Sequence, residues 1–175
     1  MFSDLTAQQV RQMLVYNPGN GLLFWRRRDD YPKSWNARFA GKQAGNVTDH
    51  GYMRVRLNKR SYRAHRLAWL YVYGEWPDGE IDHINGDTLD NRIENLRVAS
   101  HAENGRNRGA NKNNTSGFKG VYWNRLAGKW VAQTKVNRQQ IYLGTYETPE
   151  DAHAAYCRAV DVLHGDFANY GDRCA

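Results

Sequence analysis

The chain has 175 residues, 41% of them apolar, and carries 25 Lys and Arg against 18 Asp and Glu, a formal charge of +7. That apolar share excludes wholesale disorder, the length suits one compact domain or two small ones, and no run approaches the ~18 apolar residues of a membrane helix. The first thirty residues lack a charged-then-apolar leader pattern, so secretion is not expected, and a sequence pI near 9.5 makes an acidic polymer a candidate partner.

Thr6 and Gln9 fit a capping box before a short helix ending near Leu14. Asn17 to Gly21 is turn material, and Gly21 to Arg27 reads as a strand. Residues 29–45 read as irregular. Tyr52 to Leu57 alternates as a strand, Asn58 to Arg60 turns, and Ser61 to Arg63 returns. His65 to Tyr73 is predicted helical, with Leu67, Leu70 and Tyr71 inward and Gly74 and Pro77 ending it. Glu80 to Ile84 and Leu96 to Val98 are short strands around a turn at Asn85 to Asp87. Ser100 and Glu103 form a second capping box. Residues 105–116, Gly- and Asn-rich without apolar periodicity, read as a basic flexible linker. Three strands follow at Phe118 to Trp123, Lys129 to Val136 and Gln139 to Thr145. A helix with Pro149 in its first turn then presents Ala152, Ala155, Tyr156, Ala159, Val160 and Leu163 at helical spacing. The fold class is α+β.

Charge is distributed in blocks. Residues 1–73 carry 13 basic and 4 acidic side chains, 74–104 carry 2 and 8, 105–146 carry 8 and none, and 147–175 carry 2 and 6. Basic blocks attract phosphates. An acidic block between them would repel nucleic acid unless a bound cation compensates, which directs the search for metal ligands to it. Most of its acids, Asp87 and Asp90 included, read as solvated loop charges.

Asp82 and His83 end a strand there, Asn95 follows, and Asn104 falls in the first turn of a short helix. Strand, loop, strand and helix can bring Asp82, His83 and Asn104 together. A carboxylate and an amide oxygen are hard donors suited to Mg²⁺, with Mn²⁺ as an alternative. A neutral His83 can act as general base on a water attacking phosphorus. Asn91 reads as a turn former, and His65 as packing or a phosphate contact. His101 adjoins the site in a usually exposed helical turn. Cys157 and Cys174 make neither a disulfide framework nor a CxxC zinc site, so no zinc is expected.

The stretch 64–104, AHRLAWLYVYGEWPDGEIDHINGDTLDNRIENLRVASHAEN, resembles the HNH domain of phage and intron homing endonucleases, the zinc-free subtype of the ββα-metal fold. The resemblance implies His83 as general base and Asn95 as the residue steadying the loop that carries it. It implies Asn104 as a metal ligand and Asp82 as the acid completing the metal site. The basic segment before it, with YNPGNGLLFWRRR and GYMRVRLNKRSYRAHR, resembles the region preceding many such domains. It is expected to form a small sheet on the nuclease core, with Arg26, Arg27, Arg28, Arg54 and Arg56 holding DNA. Lys59, Arg60 and Arg63 add to that surface.

From Ser116 to Tyr170 the chain resembles the Apetala-two/ERF DNA-binding domain of plant transcription factors, through KGVYW, GKWVAQ and YLGTYETPEDAHAAY. The resemblance implies a sheet in the major groove backed by a helix. Its contact positions here are Lys119, Gly120, Tyr122, Asn124, Lys129, Gln133, Lys135, Gln140 and Tyr142. Tyr122, Asn124 and Gln140 stand where plant members often have Arg, so base preference does not transfer. Lys119, Arg125, Lys129, Lys135 and Arg138 suit phosphates, and Gln133 or Gln140 suits an adenine edge. At least one of Trp123 and Trp130 is expected to pack inward. Arg106, Arg108 and Lys112 are expected to track the DNA backbone.

These readings give an N-terminal region plus nuclease core at 1–104, the linker at 105–116 and a DNA-binding domain at 117–175. The expected activity is metal-dependent hydrolysis of duplex DNA at recognised sites, of homing type and nicking, by a monomer or weak dimer in the host cytoplasm. The alternative is a DNA-binding regulator with a silent HNH scaffold.

Overall fold

The computed structural model describes residues 5–111 and 113–171. The fold is α+β, and the chain divides into two compact units, Met1–Ala99 and Ser100–Ala175. The basic stretch after Asn104 thus begins inside the second unit.

The first unit opens with α1 (Ala7–Met13), whose start is fixed by the Thr6–Gln9 capping box. The helix runs directly into β1 (Leu14–Asn17), which pairs antiparallel with β2 (Leu22–Trp25). α2 (Lys33–Phe39) follows. Then β3 (Asn46–Val47), β4 (Met53–Leu57) and β5 (Arg60–Arg63) form an antiparallel sheet in that order. α3 (Ala64–Tyr73) ends on Gly74 in the left-handed region, the usual stop where a Cβ would be strained. β6 (Glu80–His83) and β7 (Leu96–Ala99) pair antiparallel. Val10, Leu14, Val55, Leu57, Leu67 and Leu70 are almost fully buried and form the core. Burial of each contributes roughly 1.5–3 kcal/mol.

β1, α2 and the two-residue β3 differ from the sequence expectation. β1 was hidden because four residues leave too few alternations to register beside a helical pattern. α2 occupies the segment read as irregular. It spans only seven residues and buries none fully, so its one apolar pair, Trp35 and Phe39, is too short a pattern to declare a core helix.

The second unit begins with α4 (His101–Arg106), started by the Ser100–Glu103 capping box. β8 (Val121–Asn124), β9 (Lys129–Val136) and β10 (Gln139–Tyr146) form an antiparallel sheet with β9 central. A bulge lies between Tyr142 and Gly144. α5 (Pro149–His164) is capped by Thr148 and covers one face of the sheet, packing Ala152 and Ala155 against Val121 and Ala132. Gly120 lets this packing happen: at φ +76 a Cβ there would stand 2.1 Å from the Tyr156 ring. The stretch after α4 is tied into this unit. Asn107 is buried, and its carbonyl accepts from Asn169 Nδ2 at 2.8 Å.

Candidate active site and nucleic-acid interface

Asp82 and His83 close β6, and the loop to β7 returns over them. Asn95 is the knot of that loop. Its Oδ1 accepts from the Asn85 backbone N–H at 3.0 Å, and its Nδ2 donates to Asn85 Oδ1 at 3.0 Å and to the Asp90 carbonyl at 2.8 Å. Asp90, expected as a solvated charge, anchors the same loop. It accepts from Asn85 Nδ2 at 2.9 Å and pairs with Arg92 at 2.7 Å. The Arg92 hydrogen bonds hold its carboxyl at about 2, below the usual carboxylate range.

Asn91 is the residue that sequence reasoning undervalued. It is 2% exposed, its Nδ2 donates to the Leu89 carbonyl at 3.1 Å, and its Oδ1 lies 3.2 Å from His83 Nε2. The amide orientation makes Oδ1 the acceptor, so the imidazole carries its proton on Nε2 and its basic position is Nδ1. Further parts of the first unit hold Asn91 in place. Tyr16 on β1 donates its hydroxyl to the Asn91 carbonyl at 2.9 Å. Gly21 packs so closely on this backbone that a Cβ would fall 2.4 Å from Arg92 N and 2.5 Å from Asn91 C.

His83 itself is 4% exposed. Burial pushes its pKa below the ordinary histidine value; the Asn91 bond and the charges of Asp82, Asp87 and Asp90 oppose that shift. The ring meets His65 edge-on at 5.1 Å and Tyr52 at 6.2 Å. His65 is therefore a packing residue beneath the candidate base, held at about 3 by burial first and then by His83, Arg63 and Arg66. Arg63 lies over the Tyr52 ring at 4.2 Å.

Asp82 stands opposite Arg97 in the β6–β7 register, and Arg97 donates to Asp82 Oδ2 from Nε at 2.8 Å. Arg97 was not singled out from sequence. A hairpin register placing residue 97 across from residue 82 is the signal that would have found it. Asn104 lies in α4, in the second unit, half-buried one turn in from Ser100. Among the described residues no group of three or more His, Cys, Asp or Glu side chains is arranged to hold a metal ion.

Strand register explains the basic surface of the first unit. Val55 and Leu57 are buried while Arg54 and Arg56 are exposed, and Arg54 pairs with exposed Arg63 across β4–β5. Arg26 and Arg27 are exposed, with Arg26 Nε donating to the Arg11 carbonyl at 3.0 Å. Arg28 is half-buried against aromatic rings.

In the second unit the pairing sorts the sheet into two faces. Ala132 and Trp130 pack on the α5 side, and Thr134 approaches His164 of α5. Alternation and cross-strand pairing then place Tyr122, Asn124, Lys129, Gln133, Lys135, Gln140 and Tyr142 on the opposite, open face. Gln140 donates to Gln133 across this face, and Lys129 pairs with Glu147 at 2.7 Å. Trp130 packs against the core while Trp123 is 45% exposed. Arg125 and Arg108 are exposed. Lys119 does not join this face: it is largely buried, and its ammonium donates to the Arg106 carbonyl at 2.9 Å. Burial lowers its pKa to about 8. Lys112 lies outside the described residues. No described helix is long and apolar enough to cross a membrane.

Residues 62–106 match the family described as HNH endonuclease, and residues 116–165 match the AP2 domain. The chain is 34% identical over 109 residues to Protein 3.8 of Escherichia phage T7, across 62% of this chain and 89% of that protein. It is 49% identical over 63 residues to the ethylene-responsive transcription factor ERN1 of Medicago truncatula, 35% of this chain and 22% of that one. It is 44% identical over 66 residues to RAP2-11 of Arabidopsis thaliana, 34% of this chain and 26% of that one. The chain thus spans about a quarter of these plant relatives' length. No solved structure matches it. With an HNH nuclease region at 62–106, an AP2 DNA-binding domain at 116–165 and a phage relative matched over most of its length, the chain belongs to the HNH endonuclease family.

Proposed function

We propose that this protein is a metal-dependent DNA endonuclease that hydrolyses phosphodiester bonds in duplex DNA at recognised sites, of homing type and cutting one strand per event. The observation that carries the reading is the buried His83, whose Nε2 lies 3.2 Å from Asn91 Oδ1; a proton on Nε2 leaves Nδ1 as the basic nitrogen. Burial keeps its imidazole neutral near neutral pH, so Nδ1 accepts the proton of a water as that water attacks phosphorus. Asn95 keeps the loop closed around His83, and Arg54, Arg56 and Arg63 draw in the phosphate backbone.

Asp82 would hold the Mg²⁺, or Mn²⁺ in its place, and Asn104 is the second ligand that the family resemblance implies. The donor set suits such an ion, because a carboxylate and an amide leave most positions to water and phosphate. When bound, the ion supplies positive charge for the phosphate and the leaving 3′ oxygen. Arg97 fixes the rotamer in which Asp82 is presented. The open face of the second unit's sheet recognises duplex DNA. Its amides and aromatics read base edges, and Lys135 and Arg125 meet phosphates. One active site per chain makes a monomer or weak dimer a nicking enzyme, working in the cytoplasm of the cell that holds its DNA.

The test is a supercoiled-plasmid assay with genomic inserts, comparing Mg²⁺ with EDTA and wild type with His83→Ala. Nicking that needs the metal and is lost in the variant is expected. Tight binding without cutting on every insert, in Mg²⁺ or Mn²⁺, would replace the nuclease with a DNA-binding regulator.

A further inference from the structure

The first unit contains a cavity that the nuclease chemistry does not use. Its volume is about 560 Å³, within the range of roughly 300–1,000 Å³ for sites that enclose small organic groups. Trp25, Tyr31, Trp35 and Phe39 line it. Their rings touch in series: Trp35 meets Trp25 at 5.6 Å, Tyr31 at 4.8 Å and Phe39 at 5.3 Å. None of the four is fully buried. α2 buries no residue fully, and its two aromatic rings remain half-exposed in the cavity wall.

Cations line the same cavity. Arg28 is positioned by Asn36, which accepts from its backbone N–H at 3.0 Å and donates to its carbonyl at 2.7 Å. The guanidinium lies 3.3 Å from the Tyr31 ring centre and 4.9 Å from that of Trp35. Its Nε is buried and has no hydrogen-bond partner among the described residues. A buried donor without an acceptor is costly and calls for an oxygen or nitrogen lone pair from outside. Lys59 lines the cavity from the β4–β5 turn, where it sits at φ +65 beside Asn58 at φ +47. Glycine would occupy that position without strain, and a cation stands there instead.

Flat aromatic walls, flanking cations and one orphaned donor match a ligand with a planar π-system, an anion and a nearby acceptor. A bare phosphate would leave the rings unused, and an apolar group would leave the cations unused. A nucleotide satisfies all three. We propose that this cavity receives one unstacked nucleotide of the bound DNA strand, its base on the Tyr31–Trp35 rings and its phosphate on Arg28 and Lys59. The proposal rests on the chain's binding DNA and not on its cutting it. A base enters only after leaving its stack, so single-stranded or mismatched positions bind preferentially.

The test uses the full chain in EDTA with two probes of equal length, a single-stranded thymidine oligonucleotide carrying one 5-iodouracil and an oligonucleotide of abasic residues. Ultraviolet cross-links are expected at Trp25, Tyr31 or Trp35, identified by peptide mass. Trp35→Ala and Arg28→Gln should each weaken thymidine binding about tenfold. The abasic probe should bind wild type and Trp35→Ala alike, whereas Arg28→Gln, which loses a phosphate contact, should weaken that probe as well. Arg28→Gln keeps the backbone bonds to Asn36, so it reports on the site should Trp35→Ala fail to fold. Cross-links only elsewhere, or equal binding of both probes by wild type, would overturn the proposal. Plasmid nicking measured in parallel separates the two readings. Nicking without base-dependent binding sinks this proposal alone, and base-dependent binding without nicking sinks the nuclease alone.

Discussion

Arg97 grips one oxygen of Asp82 across the β6–β7 pair, with Nε at 2.8 Å and Nη2 at 2.7 Å from Oδ2. The carboxylate side chain is only 5% exposed, and the guanidinium helps to make its charge tolerable inside the fold. Arg97→Ala should therefore destabilise the protein by about 3 kcal/mol. Urea unfolding of the full chain measures this. Millimolar Mg²⁺ should restore more stability to the variant than it adds to wild type, since a cation on Asp82 replaces the lost charge. An equal response in both would argue against Asp82 as a metal ligand.

Asn91 fixes which nitrogen of His83 is basic. Its removal should slow nicking while leaving DNA affinity unchanged, by about 10–100-fold for Asn91→Ala. His83→Ala should cost more, at least about 100-fold, since a general base supplies 10²–10⁴. Single-turnover nicking beside gel-shift affinity separates these effects. A fall in affinity that accounts for the rate would refute the orienting role.

His65 gives the protein an acid weakness. Burial holds its folded pKa at about 3, against an ordinary 6.5. The unfolded chain takes up this proton below about pH 6.5 and the folded chain resists, so stability falls as pH drops through that window. Between pH 7 and pH 5 the contribution of this group is about 2 kcal/mol. Urea midpoints at the two pH values should converge in His65→Gln. A variant as acid-sensitive as wild type would place the weakness elsewhere.

The nuclease motif and the second sheet were legible because their signals are local. The Ser100–Glu103 box, the alternation from Lys129 to Val136 and the spacing of Ala152, Ala155 and Val160 each declare one element within a few residues. What stayed hidden depends on pairing across the chain. Arg97 matters only because it lies opposite Asp82, and Asn91 only because the loop turns it onto His83. β1 was too short to alternate visibly, and α2 has no buried face to betray it.

Gly21 offers a test of the support behind Asn91. A Cβ there collides with the Asn91–Arg92 backbone, whereas Gly41, also at positive φ, has open space around it. Gly21→Ala and Gly41→Ala share the backbone strain, and only the first adds the collision. Nicking by Gly21→Ala should be about tenfold slower than by Gly41→Ala, in line with the loss expected when an orienting contact shifts. Equal rates would show that the Asn17–Gly21 turn does not bear on the site.

Two hairpin tips carry a cation in the left-handed region: Lys59 at φ +65 and Arg138 at φ +67, each after an Asn. Lys59→Gly and Arg138→Gly should each stabilise the fold by about 0.5–1 kcal/mol, the strain relieved exceeding glycine's entropy cost. Each should also reduce the slope of log affinity against log salt by about one. Thermal melts and salt titrations together test this. Unchanged slopes would mean that these cations meet no phosphate.

The division of β9 into an α5-facing row and an open row has an evolutionary consequence. Trp130, Ala132 and Thr134 carry the contacts toward α5, while Gln133 and Lys135 stand on the other face. Val131 on the same row is buried, but substitution at Gln133 and Lys135 costs the fold little, so selection can redraw those two positions freely. A lineage could retarget this protein to new DNA one side chain at a time, without crossing a valley of unfolded intermediates.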